Sequence, residues 1–430
     1  MKLNTKVNEL SLQISTDMIG AATDVVATLL EFSQPADAVL SNYFRNNRQL
    51  GQRDRAFVAD TAYAVLRRKR FLEALCGEKH SPRQLVLAAL MRVQGIGQRQ
   101  LGENLSAAES KWLTEFKARP EPSLSPAEQC DLPDWLYERL AATRSAEQIL
   151  ELARSLNQPA PLDLRANVIR ASRDDVLAQL HAEHVEAEAC PYAPFGIRLK
   201  DKPALSKSSL FLDGKVEVQD EGSQLLGHLL QPKRGEMVAD FCAGAGGKTL
   251  LLGALMRSTG RLYAFDVSEK RLAKMKPRLA RSGLSNVHPA AIANENDIRI
   301  KRLAGKFDRV LVDAPCSGLG TLRRNPDLKW RQQPKSVDEL TQKQTAILAS
   351  AARLVKPGGR LVYATCSLLQ EENEDIVAAF LSTHDDFQRI PCNELLAQQG
   401  IALDTGEDLR LYPHLHGTDG FYAAALERRK

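Results

Sequence analysis

At 430 residues the chain exceeds what one hydrophobic core usually organises, so two or three domains are expected. Apolar residues make up 43% and charged residues 26%, no apolar run approaches a membrane span, and the opening MKLNTKVNELSLQ lacks the charged-then-apolar build of a secretory leader. A cytoplasmic protein that does not engage a membrane is therefore expected, and its net charge of +5 permits a polyanionic partner without requiring one.

From Ile19 to Leu140 the chain reads as helix after helix. AATDVVATLLEF, PADAVLSNYFRN, RDRAFVADTAYAVLRRKRFLEALC and SPRQLVLAALMRVQG carry apolar residues three and four apart, with Pro35 and Ser81-Pro82 at helix starts. Arg45, Arg48, Arg53 and Arg55 precede a second basic cluster, Arg67 to Arg70. Lys117 to Pro133, with four prolines, reads as a linker. A mixed segment follows, in which LDLRANVI, VEAEACPY and FGIRLK alternate like strands around the helical SRDDVLAQLHAEH. From Met237 short apolar runs (MVADF, RLYAFD, NVHPAAIA, FDRVLVDA, GGRLVYATCS) alternate with helical patterns, which predicts a doubly wound α/β sheet.

VADFCAGAGGKTLLLGALM is a strand, a glycine-rich turn and a helix. A phosphate loop ending at Gly247-Lys248-Thr249 needs glycine where Cys242 stands. A dinucleotide fingerprint beginning at Gly244 needs glycine or alanine where Thr249 stands. What remains is a strand ending in Asp240, a Gly-x-Gly-Gly turn, and a second strand ending in Asp266, an acid suited to accept from ribose hydroxyls. The combination fits an S-adenosylmethionine site; the bland alternative is a turn with glycine for packing.

The seven cysteines (Cys76, Cys130, Cys190, Cys242, Cys316, Cys366 and Cys392) are odd in number and form no C-x-x-C pair. This suggests neither a disulfide framework nor a zinc site, and no metal is expected. Cys316 and Cys366 each precede a serine at the end of an apolar run, in DAPCSGLG and LVYATCS. In one parallel sheet both thiols face the crevice at the strands' carboxyl ends. Beside a methyl donor they suit cytosine chemistry. Carbon 5 is a poor nucleophile until a thiolate adds to carbon 6, and ring nitrogen 3 gains a proton as it does so, a role open to Asp313. One cysteine would attack and the second would assist release. Two buried cysteines of no chemical consequence are the alternative for either alone.

FCAGAGGKT, VQDEGSQLL, DAPCSGLGTLRRNPDLKW, LVYATCS and GTDGFYAAAL resemble the Sun/RsmB group of RNA 5-methylcytosine methyltransferases. The resemblance covers roughly Asp131 to the C-terminus. It implies a Rossmann-like class I methyltransferase domain, S-adenosylmethionine as cofactor, Cys366 as nucleophile and Cys316 as the agent of release. It places the cofactor on Cys242, Ala243, Gly244, Ala245, Gly246, Gly247 and Lys248, with Asp266, Asp313 and Asp297; Asn294 and Glu295 are alternatives to Asp297. The usual loop in that group reads Cys-Ala-Ala-Pro-Gly-Gly-Lys, so Gly244 and Ala245 imply a looser turn. The N-terminal helices resemble the RNA-binding factor NusB. The expected organisation is thus an all-helical NusB-like domain (1–130), a small α+β linking segment (131–215) and the catalytic domain (216–430). The expected partner is RNA, specifically 16S ribosomal RNA, for a monomeric enzyme. A transfer-RNA target and a non-catalytic assembly role are the alternatives. The arginine clusters, and the basic tail Arg323 to Lys335, are expected to face RNA phosphates.

Overall fold

The computed structural model describes residues 14–430. They form two compact units, one running through Asn157 and taking in Asn325–Arg331, the other made of Gln158–Arg324 and Gln332–Lys430.

The first unit is helical. Its main helices are Thr16–Leu29, Ala36–Asn46, Gln52–Arg67, Lys69–Cys76, Pro82–Arg92 and Ala107–Ala118. Ser15, Ser81 and Ser106 accept from backbone N–H groups at three of the N-termini, and Gln84 and Glu109 reciprocate as capping boxes. The three-and-four spacing delivers Val25, Val58, Val65, Leu85 and Leu87 to one core. Beyond the proline-rich stretch, Asp134–Ala141 and Ala146–Leu156 also belong to this unit.

The Arg67–Arg70 cluster is used inside this unit, which corrects the expectation that it faces RNA. Burial pushes the Arg67 guanidinium below its ordinary value. Arg68 pairs with the buried Asp131 at 3.0 Å, Lys69 with Glu73 at 2.8 Å, and Arg70 with Asp134 at 2.6 Å. The basic tail needs a similar correction. Lys329 is 1% exposed and donates to the Arg67 carbonyl at 3.0 Å and to Asn157 Oδ1 at 2.9 Å. Burial pushes its ammonium down to about 7, against the opposing pull of Asp131. Trp330 Nε1 donates to the Leu66 carbonyl at 2.9 Å, and Asp327 accepts from the Ala36 amide at 3.3 Å. Charge alone does not distinguish such internal fastening from a polyanion surface.

The second unit holds two sheets. The smaller is antiparallel, ordered β2-β3-β1-β4, from β1 (Leu162–Ala166), β2 (Ala187–Ala189), β3 (Gly196–Leu199) and β4 (Val216–Val218). The helix Arg173–Ala182 contributes Val176 and Leu180 to a core with Leu164 and Ile197. The larger sheet contains β5 (Met237–Asp240), β6 (Arg261–Asp266), β7 (Val287–Ala291), β8 (Phe307–Asp313), β9 (Val355–Thr365), β10 (Phe387–Ile390), β11 (Leu409–Leu411) and β12 (Phe421–Arg428). Its order is β10-β12-β9-β8-β5-β6-β7, with β11 on β12. Strands β5 to β9 run parallel, and β12 pairs antiparallel with β9. From β5 the chain steps outward through β6 and β7, then returns to the other side as β8 and β9. That reversal is the switch point of a doubly wound, Rossmann-like sheet, beside which ligands bind at the strands' carboxyl ends. No helix among the described residues is long and apolar enough to cross a membrane.

Candidate active site

The carboxyl ends of β5, β6, β8 and β9 open on a cavity of about 620 Å³, lined among others by Asp240, Asp266, Asp313, Cys316 and Cys366. These residues come together because β8 and β9 are parallel neighbours, with Asp313 opposite Ala364, and β5 lies between β8 and β6.

At the cofactor end, Asp266 is 2% exposed. One carboxylate oxygen accepts from the Gly244 amide at 2.8 Å, the other from the Ser268 amide at 2.8 Å and Arg271 at 2.9 Å. The glycine turn is tied down more firmly than expected. Ala243 N donates to the Phe265 carbonyl at 2.9 Å, and Arg278 donates to the Ala245 carbonyl at 2.8 Å. Arg278 is itself paired with Glu217 at 2.9 Å. A guanidinium from the helix Glu269–Ser282 thus restrains the turn where a proline ring is absent. Gly246, at φ +87°, lies in the region that favours glycine, and a Cβ there would lie 2.5 Å from Met275 Cγ and have to displace that side chain. Cys242, Ala243, Gly244, Ala245, Gly247 and Lys248 line the cavity, whereas Gly246 supports the turn from beneath.

Asp297 does not line the cavity. It caps the short helix Ile298–Arg302, accepting from the Ala293 amide at 2.9 Å and the Arg299 amide at 2.8 Å. Its hydrogen-bonded partner Arg299, helped by those amides, holds the carboxyl well below the usual carboxylate range. Glu295 and Ile292 occupy this wall instead.

At the other end, Lys248 Nζ donates to Asp313 Oδ2 at 2.7 Å. Burial works against the ammonium, but the Asp313 carboxylate outweighs it and the Lys248 pKa is raised. Asp240 accepts from Thr249 Oγ1 at 2.7 Å. Burial, opposed by that bond and reinforced by Asp313, pushes its carboxyl up to about 7. The sulfurs of Cys316 and Cys366 are 3.4 Å apart. The Cys316 thiol is pushed well up, first by its hydrogen bond to Cys366, then by burial and by charge on Cys366. Close backbone packing fixes the second cysteine: Gly320 N donates to the Cys366 carbonyl at 2.8 Å, and Gly420 N to the Gly320 carbonyl at 2.8 Å. A Cβ on Gly320 would stand 2.1 Å from the Gly420 carbonyl oxygen, so SGLG and GTDG need glycine where they meet.

The far wall holds residues to which their motifs gave no individual role. Arg324 donates to Asp220 at 2.9 Å and to Asp419 at 2.6 Å, so the tail's second arginine is tied into the cavity rim. Arg323 is 6% exposed and donates to the Gly417 carbonyl at 2.9 Å. Burial and the neighbouring Asp419 raise the Asp220 carboxyl to about 6. Their signal was present in VQDEGSQLL and GTDGFYAAAL, but which side chains turn inward depends on contacts between residues 94 to 104 positions apart in sequence.

The residues suit a nucleoside-bearing methyl donor. Asp266 ends its strand facing the cavity, Val267 and Ile292 offer apolar flanks beside it, and the turn brings bare backbone against the space. Fold and cavity together define an S-adenosylmethionine-dependent methyltransferase. The chain matches the family described as 16S rRNA methyltransferase RsmB/F over residues 227–427, and the ferredoxin-like domain of RsmF/B-like methyltransferases over residues 132–206. It is 33% identical to the probable ribosomal RNA small subunit methyltransferase B of Synechocystis sp., across 87% of this chain and 91% of that one. It is 31% identical to the ribosomal RNA small subunit methyltransferase B of Sodalis glossinidius, across 94% and 96%. A solved methyltransferase homolog protein from Pyrococcus horikoshii is 30% identical, with a TM-score of 0.61 over 70% of this chain and 97% of that one. The chain belongs to the RsmB/F family and is an S-adenosylmethionine-dependent RNA (cytosine-5-)methyltransferase.

Proposed function

We propose that this enzyme methylates carbon 5 of a cytosine in small-subunit ribosomal RNA, with Cys366 as covalent nucleophile and Cys316 as the base that releases product. The observation that carries the reading is the pair of sulfurs 3.4 Å apart in the cavity that Asp266 and Asp313 share. When bound, S-adenosylmethionine supplies an electrophilic methyl group; Asp266 and the Cys242–Lys248 turn would hold it.

The Cys366 thiolate adds to carbon 6 of the base, and the electron pair displaced from the ring is matched by a proton delivered to nitrogen 3. The Lys248 ammonium, which donates to the Asp313 carboxylate across 2.7 Å, supplies that proton by way of Asp313. Bonding Cys366 to carbon 6 consumes the sulfur lone pair and charge that held Cys316 protonated. Cys316 is then easier to ionise. Its own proton passes to solvent, its thiolate takes the proton from the methylated carbon 5, the carbon 5–carbon 6 double bond re-forms as Cys366 leaves as thiolate, and nitrogen 3 returns its proton by way of Asp313 to Lys248.

The target follows the names of the relatives, which cover nearly the full chain. A monomeric cytoplasmic enzyme is part of the proposal, as is the division into helical (1–130), linking (131–215) and catalytic (216–430) parts. Bisulfite sequencing of ribosomal and transfer RNA from cells with and without the gene tests the target. One ribosomal cytosine should lose its mark on deletion; loss confined to transfer RNA would overturn the ribosomal assignment.

A further inference from the structure

Both cysteines are followed by serine, and the chemistry above uses neither hydroxyl. The structure gives the serines a shared partner. Glu372, fully buried, lies on the far side of the two Cys-Ser turns from the cavity it does not line. One of its oxygens accepts from the Ser317 amide at 2.8 Å and from Gln344 Nε2 at 2.9 Å. The other accepts from Ser317 Oγ at 2.5 Å and from Ser367 Oγ. Four donors thus fill the four lone-pair directions of one carboxylate. The two hydroxyls also lie 3.1 Å from each other.

Everything around this group fixes it. The Tyr363 hydroxyl donates to the Glu372 carbonyl at 2.6 Å. Gln344, already bound to the carboxylate, also donates to the Pro315 carbonyl at 2.9 Å, just before Cys316. Ser367 Oγ accepts from the Leu369 amide at 3.1 Å, and Asn373 donates to the Ser367 carbonyl at 3.2 Å. Ser317 and Ser367 have further partners, with Gln332 Nε2 donating to the Ser317 carbonyl at 2.9 Å and Thr365 Oγ1 accepting from the Ser367 amide at 3.2 Å, but the Glu372 carboxylate is the group that binds both serines.

We propose that Glu372 is a positioning residue for the methyl transfer. Its carboxylate ties the two Cys-Ser turns together and so holds the two sulfurs at the separation needed to serve one base in succession. This rests on the reading that both cysteines act. Charge–dipole bonds of this kind are shorter and stronger than neutral ones, and a loss of a few tenths of an ångström in a reacting pair is costly in rate. The carboxylate also adds to the repulsion that keeps Cys316 protonated in the resting enzyme, after the hydrogen bond to Cys366 and burial.

The test uses the full chain as Glu372→Gln, which keeps the shape but replaces one acceptor with a donor facing a hydroxyl, and as the milder Ser317→Ala/Ser367→Ala double variant. Two quantities are read. One is methyl transfer to RNA, split into kcat and KM. The other is the rate at which a bifunctional bimane bridges Cys316 to Cys366, with the bridged peptides identified by mass spectrometry. The expected result is a kcat lowered by about tenfold or more with KM for RNA and cofactor affinity within about twofold of the parent, and bridging slowed in parallel. Wild-type kcat and bridging in a folded Glu372→Gln protein would overturn the inference. If that variant does not fold, the same two readings on the serine double variant decide it. Failure of the two-cysteine reading has a different signature: Cys316→Ala would turn over normally, whatever Glu372 does to bridging.

Discussion

Asp240 sits fully buried at the end of β5, against Asp313 and the glycine turn, with its carboxyl raised from 3.8 to about 7. Asp240→Asn keeps the shape and leaves an amide oxygen to accept from Thr249, now 2.7 Å away. The fold disfavours the charged form, so the aspartate costs nothing below about pH 4. The cost grows through the neutral range and levels off above about pH 8, where it reaches about 4 kcal/mol. Between pH 5 and pH 8 the increment is about 2–3 kcal/mol. The asparagine variant should therefore gain about that much stability over the parent on going from pH 5 to pH 8. The three tryptophans, Trp112, Trp135 and Trp330, all lie in the helical unit, so fluorescence would follow the wrong half. Hydrogen-exchange mass spectrometry of peptides spanning β5 and β8, comparing variant with parent at each pH, reports the relevant opening. Equal protection differences at pH 5 and pH 8 would refute the argument that burial holds this acid protonated.

Three further outcomes follow from the site. Gly246→Ala should weaken cofactor binding in calorimetry and destabilise the turn by at least about 1–2 kcal/mol, the cost of a side chain in the left-handed region before Met275 is displaced. Asp266→Ala removes the acceptor at the end of β6 and should weaken S-adenosylmethionine binding by about tenfold or more, with far-ultraviolet dichroism unchanged; parent affinity would show that another group holds the ribose. Asp297→Ala should lower thermal stability slightly while leaving cofactor affinity alone, and Glu295→Ala should do the reverse. Weakened binding in the Asp297 variant would return that acid to the cofactor site.

The parallel part of the sheet was legible in the sequence because four of its five strands are apolar runs that stop at the cavity, on Asp240, Asp266, Asp313 and the Thr365-Cys366 step. β4, with three residues, and β12, with its FYAAAL core, carry little intrinsic strand signal. Pairing makes them strands: β12 is hydrogen-bonded to both β9 and β10. The same division runs through the site. Cysteines, aspartates and glycines announce themselves by position along a strand. Arg324 with Asp220 and Asp419, and Glu372 with its two serines, become partners only through long-range folding. Charge runs misled for a related reason. Arg68 and Lys329 look like polyanion contacts until the carboxylates and carbonyls that engage them are seen.

The central claim is that Cys366 bonds to the RNA base and Cys316 sets it free. Cys316→Ala, incubated with S-adenosylmethionine and RNA containing the target, should accumulate a slow-migrating species on a denaturing gel, and peptide mass spectrometry should place the nucleotide on Cys366. Adding Cys366→Ser to the same protein should abolish both the species and methyl transfer. An adduct that maps elsewhere, or a Cys366→Ser enzyme that methylates at the parent rate, would contradict the account.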